Sequence, residues 1–121
     1  MPSPRSRVGQ SAEIVAAAEL GKQGYSILAS NYRCKQGEID FIAKDGDSIV
    51  FVEVRCRRTT NYGSPAESIT SAKQEKIIAT AQHYLNEQSM HDVNCRFDVV
   101  EVVSMDGRLC VQDIIKDAFW L

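Results

Sequence analysis

Acidic and basic side chains fall inside two apolar runs between Gly37 and Arg58, where burial alone would not put them. The first run is Gly37-Glu38-Ile39-Asp40-Phe41-Ile42-Ala43 and the second is Ser48-Ile49-Val50-Phe51-Val52-Glu53-Val54-Arg55. A Lys44-Asp45-Gly46-Asp47 turn joins them, and Asp-Gly between apolar runs is a hairpin signal. In an extended strand Glu53 and Arg55, two positions apart, face the same side. A buried charge without a partner is costly, and Asp40 on the adjoining arm can bring a second carboxylate close to Glu53. Two carboxylates held together repel unless a cation lies between them, so the pattern outlines a divalent-metal site, with Glu38 as an accessory acid. The competing reading is a hairpin at a sheet edge, with Glu38, Asp40 and Glu53 in water and Arg55 pairing across the strands. Ile49 and Phe51 share the face of Glu53 and Arg55 while Val50, Val52 and Val54 fill the other, which argues for covered faces and a charged end beside a core.

The elements that would position these groups follow from periodicity and punctuation. Residues 1–8 read as a flexible Pro/Ser/Arg tail and residues 9–121 as a single domain. An alanine-rich helix runs from near Gly9 to Gly21 or Gly24, with Gly24 as its stop. On it, Glu13 lines up with Ala16, Ala17 and Leu20, on the apolar stripe. A first-turn acid answering the helix dipole is the plain explanation of that position. Tyr25 to Ala29 reads as a short edge strand, and Asn31 to Gln36 as a connection into the hairpin. Past Arg58 the polar, turn-rich stretch from Thr59 to Pro65 is long for a connector. A second helix starts at a capping-box pattern, Ser71-Ala72-Lys73-Gln74, and runs to about Asn86. Its expected buried stripe is Ile77, Ile78, Ala81 and Leu85, with Lys73, Lys76, Thr80 and His83 on a solvated face. Two strands follow, Arg96 to Val103 and Leu109 to Ile114, joined through Asp106-Gly107, and Ala118 to Leu121 should pack onto the domain. A helix between the third and fourth strands permits a parallel crossover. The expected fold is therefore α/β, a mixed sheet flanked by helices in the order α-β-β-β-α-β-β.

Composition sets ordinary bounds. At 121 residues, with 44% hydrophobic and 25% charged side chains, the chain is long enough for one real core. The net charge of −2 gives no overall pull toward nucleic acid, so phosphate contacts would have to come from local clusters such as Arg55, Arg57 and Arg58, or Lys73 and Lys76. Cys34, Cys56, Cys95 and Cys110 show no metal-ligand spacing, which argues against structural zinc. No signal-like segment follows Met1, and no apolar run is long enough to span a bilayer. A cytoplasmic protein with reduced thiols and no membrane partner is expected.

Glu13, Gly37-Glu38-Ile39-Asp40 and Glu53-Val54-Arg55 together resemble the YraN-like (UPF0102) proteins, a branch of the PD-(D/E)xK restriction-endonuclease-like superfamily. The resemblance extends from about Gly9 to Phe119 and includes Asn31-Tyr32-Arg33, Phe51-Val52-Glu53-Val54, Tyr84-Leu85 and Arg96-Phe97-Asp98-Val99-Val100. Archaeal Holliday-junction resolvases are similar at a greater distance. The resemblance implies a restriction-endonuclease-like fold and catalytic residues Asp40, Glu53, Arg55 and Glu13. It further implies Mg²⁺ or Mn²⁺ held by Asp40, Glu53, Glu13 and the Val54 carbonyl. DNA, including branched DNA, is the implied partner, contacted through Arg33, Arg57, Arg58, Lys73 and Lys76, with a homodimer as the natural assembly for cutting two strands.

The chain departs from the superfamily pattern at Arg55, where the motif carries Lys. Arg stays protonated in proteins, so it cannot serve as a general base there. It can still hold a phosphate oxygen through two hydrogen bonds. Three readings follow: a metal-dependent endonuclease, a DNA-binding module of the same fold without catalysis, and a protein-interaction subunit.

Overall fold

The computed structural model describes residues 4–57 and 69–119, with residues 4–10 as backbone only. Arg58, the 59–65 connection, Trp120 and Leu121 lie outside the described residues. Helix α1 (Pro4–Lys22) precedes strands β1 (Ser26–Cys34), β2 (Gly37–Asp45) and β3 (Ser48–Arg57). Helix α2 (Ser71–Glu87) is followed by β4 (Asn94–Met105) and β5 (Arg108–Phe119). The five strands form one sheet in sequential order, β1-β2-β3-β4-β5. Neighbours are antiparallel except β3 and β4, which pair in parallel across the α2 crossover. The order is the α-β-β-β-α-β-β expected from the sequence.

Alternation along β3 divides the core into two layers. Ile49 and Phe51 pack with Ile77, Ala81, Tyr84, Phe97 and Val99 under α2. Val50 and Val52 pack with Ala12, Ala16, Leu20, Val100 and Val102 under α1. A parallel pair covered on both faces needs such unbroken apolar runs. Among the described residues, no helix is long and apolar enough to cross a membrane.

Several boundaries differ from the sequence reading. Helix α1 starts at Pro4, ahead of Gly9. It ends as expected at Gly24, whose φ of +94° lets the Tyr25 N–H reach back to the Leu20 carbonyl at 2.9 Å. Strand β1 continues through the stretch read as a connection and pairs with β2 as far as Cys34 opposite Gly37. The cap of α2 is Thr70 in place of Ser71: the Thr70 hydroxyl accepts the Lys73 N–H at 3.2 Å. Thr80, expected in water, is fully buried and donates to the Lys76 carbonyl at 2.7 Å. A hydroxyl satisfied within its own helix can be buried at little cost, so the inner face of α2 runs through Ile77, Thr80, Ala81 and Tyr84.

A polar network closes the sheet beneath the end of α1. The buried Asp98 carboxylate accepts Tyr25 Oη at 2.7 Å, Arg96 Nε at 3.0 Å and the Asp117 N–H at 3.0 Å. Arg96 Nη2 donates to Asp45 at 2.6 Å in the same group. The Asp117 N–H is available because β5 bulges there: Phe97 pairs with Phe119 but Val99 pairs with Ile115.

Candidate metal and phosphate site

Strands β2 and β3 pair from Asp45 opposite Ser48 to Phe41 opposite Val52, and there the ladder stops. Ile39 belongs to the core layer under α2, while Phe41, two residues on, belongs to the layer under α1. The alternation therefore breaks at Asp40, where the two strands separate. The Val54 N–H, deprived of a ladder partner, donates instead to Asp40 Oδ2 at 2.8 Å. This side-chain bond fixes the carboxylate between the strands.

Glu53 is 8% exposed, which overturns the wet-edge reading for this acid. Its Oε1 lies 3.1 Å from Lys73 Nζ, reaching down from the first turn of α2. A cavity of about 260 Å³ opens beside the pair, lined by Gly37, Glu38, Asp40, Glu53, Lys73, Lys76 and Ile77. Gly37 sets its depth. At φ +154° a side chain is disfavoured, and a Cβ there would stand 3.0 Å from Thr80 Oγ1. Glycine thus suits the close approach of α2 to β2 at this point, where a Cβ would press on Thr80 and lie against Lys76.

The electrostatics bear the mark of crowded acids. Burial, and then the nearby Glu53 charge, push the Asp40 carboxyl up to about 7, against the relief of the Val54 N–H and the Lys73 ammonium. Burial, then Asp40 and Glu38, raise Glu13 as well. Glu13 Oε1 is buried without a hydrogen-bond partner among the described residues. A carboxyl so perturbed in a cleft, as Asp40 is, marks functional sites more often than chance.

The structure thus brings Asp40, Glu53, Glu38, Lys73 and Lys76 to one cavity, with Glu13 within electrostatic reach. Among the described residues, no three His, Cys, Asp or Glu side chains stand close enough together to hold a metal ion by themselves. An all-oxygen set of one or two carboxylates nonetheless suits Mg²⁺, which keeps most of its waters. The Asp40 and Glu53 carboxylates, both lining the cavity, would be the ligands of such an ion.

Arg55 does not line this cavity; it lies opposite Glu101 in the β3–β4 register. Arg57 Nε stands 3.5 Å from the buried Glu101 Oε1. Arg33 pairs with the exposed Glu38 at 3.4 Å. The described cysteines are all free thiols. Sequence reasoning placed Lys73 among solvated groups or DNA contacts and missed its pairing with Glu53. Its spacing of four residues from Ile77 on the inner face was the available signal.

The chain matches the model of a family described as "Uncharacterised protein family UPF0102" over residues 12–102. It is 48% identical over 115 residues to a UPF0102 protein of Syntrophus aciditrophicus, covering 95% of this chain and 90% of that one. It is 44% identical to a UPF0102 protein of Chloroflexus aurantiacus, covering 93% and 92% of the two chains. With a UPF0102 protein of Moorella thermoacetica it shares 42% identity over 98% of this chain and the whole of the relative.

Proposed function

From the site of this chain, which belongs to the UPF0102 family, we propose a metal-dependent endonuclease of the PD-(D/E)xK type that hydrolyses DNA phosphodiester bonds, with branched or distorted DNA as the favoured substrate. The observation that carries this reading is the Asp40 carboxylate, fixed by the Val54 N–H at the point where β2 and β3 part and raised by burial and then by the neighbouring Glu53. Two acids placed to repel each other gain most from a cation between them.

Asp40, Glu53 and the Val54 carbonyl would hold Mg²⁺ or Mn²⁺, with Glu13 completing the acidic surround. When bound, such an ion supplies Lewis acidity toward water and the scissile phosphate. The protein's own groups do the rest. The Val54 N–H keeps Asp40 in place, and the lysines of α2 offer positive charge to the phosphate. Arg55 stays charged and contributes to binding DNA beside the cavity, together with Arg57 and Lys76. Cutting both strands of a duplex calls for two copies of a domain this small, so a homodimer completes the proposal.

The placement of Arg55 outside the cavity favours a second reading, a DNA-binding module that has lost catalysis. Incubating labelled linear, flapped and four-way DNA with Mn²⁺ or Mg²⁺ separates the two. The nuclease reading expects metal-dependent cutting by the wild type that disappears in Glu53→Ala and persists or rises in Arg55→Lys. Cutting that survives Glu53→Ala contradicts it. Salt-sensitive DNA binding without cutting, unaffected by Glu53→Ala, supports the binding module.

A further inference from the structure

Lys73 makes a pairing that the proposed chemistry does not explain, and it does so against the preference of its own helix. It lies in the first turn of α2, which carries no acidic side chain, and the positive end of a helix disfavours a cation. Its backbone is pinned by the Thr70 cap. Its ammonium lies 3.1 Å from Glu53. The two members of the pair are unequal: the Glu53 side chain is 10% exposed and the Lys73 side chain 42%. The carboxylate is buried on a strand of the sheet, while the lysine is on a long, partly exposed side chain, and both line the cavity.

We infer that Lys73 is the displaceable counter-ion of the acid pair: its ammonium neutralises Glu53 until a divalent cation takes that carboxylate, and is then released into the cavity. The inference rests on the metal reading above. An acid as buried as Glu53 is costly without a compensating charge, and among the described residues Lys73 is the cation within ion-pair distance. Separating the pair costs little on the lysine side, because the Lys73 side chain is already partly exposed to water. The released charge stays beside Lys76, in the cavity that Arg55 does not reach. A mobile lysine from α2 thereby stands in for the motif lysine that this chain lacks.

The test is calorimetric titration of the full chain with Mn²⁺, comparing wild type, Glu53→Gln, Lys73→Met and Lys76→Met. Lys76→Met removes the same charge from the same cavity without breaking a pair to Glu53. The inference expects binding lost in Glu53→Gln, tightened about fivefold in Lys73→Met, and changed less than about twofold in Lys76→Met. As a second readout, the Lys73 ammonium signal in ¹H–¹⁵N spectra should shift toward that of a solvated lysine when Mg²⁺ is added. Equal tightening in both lysine variants, or none in Lys73→Met, overturns the counter-ion role while leaving the metal reading intact. Absence of Mn²⁺ binding by both wild type and Lys73→Met overturns the metal reading and this inference with it.

Discussion

At the scale of single residues, Asp40 exposes a conflict between stability and function. Its folded-state proton affinity is raised from the usual 3.8 to about 7 by burial and by Glu53. The native state therefore holds more protons than the unfolded chain across that window, and stability falls as pH rises from about 4 to about 7. Asp40→Asn keeps an oxygen for the Val54 N–H and removes the repulsion. It should flatten this slope and stabilise the protein by about 1 to 2 kcal/mol at pH 8, read from urea denaturation at pH 5 and pH 8. A steeper loss of stability with pH in Asp40→Asn would mean that Asp40 is not the strained acid. Asp40 and Glu53 were legible in the sequence because charge inside an apolar strand is conspicuous. Lys73 was not, because a lysine on a helix is usually solvated and its pairing depends on how deeply that helix docks.

At the scale of elements, the docking of α2 on β2 turns on one glycine. Gly37→Ala would place a Cβ 3.0 Å from Thr80 Oγ1 at a backbone φ of +154°. A loss of about 1 to 3 kcal/mol is expected in urea denaturation, and the helix should lift, weakening the Lys73–Glu53 pair. Unchanged stability would show that β2 and α2 yield there at no cost. Helix and strand order was readable because hydrophobic periodicity and the Gly24 and Asp106-Gly107 turns report it directly. The burial of Thr80 was not, since its hydroxyl is satisfied by the Lys76 carbonyl and a satisfied Thr packs like an apolar residue. Strand β1 was read too short because its second half, Ser30 to Cys34, is polar and half-exposed at the sheet edge. Pairing with β2, and not composition, holds it in the sheet.

At the scale of the whole molecule, the acid site and the buried network serve different ends. Asp98 on β4 ties the α1–β1 junction and β5 to its own strand through Tyr25, Arg96 and Asp117. Asp98→Ala strands Arg96 beside Asp45 and leaves Tyr25 Oη and the Asp117 N–H without their acceptor, so a loss of about 3 to 5 kcal/mol is expected in chemical denaturation. A loss below about 1 kcal/mol would show that water replaces the carboxylate. The Arg96 hydrogen bond, first, and its charge hold Asp45 below the usual carboxylate range, so its contribution is present at neutral pH and fades as acid protonates it. The β5 bulge that supplies the Asp117 N–H left no trace in the sequence, because Asp117 at φ +56° looks like any surface acid until the strands are paired.

The account stands or falls on a cation between Asp40 and Glu53. Crystals of the protein grown with Mn²⁺ and measured at the manganese absorption edge locate that ion directly. An anomalous peak at ligand distance from both carboxylates, absent in Glu53→Gln crystals, is the predicted result. A fully ordered Asp40–Glu53 pair with Lys73 still seated on Glu53 and no peak at saturating Mn²⁺ would contradict it.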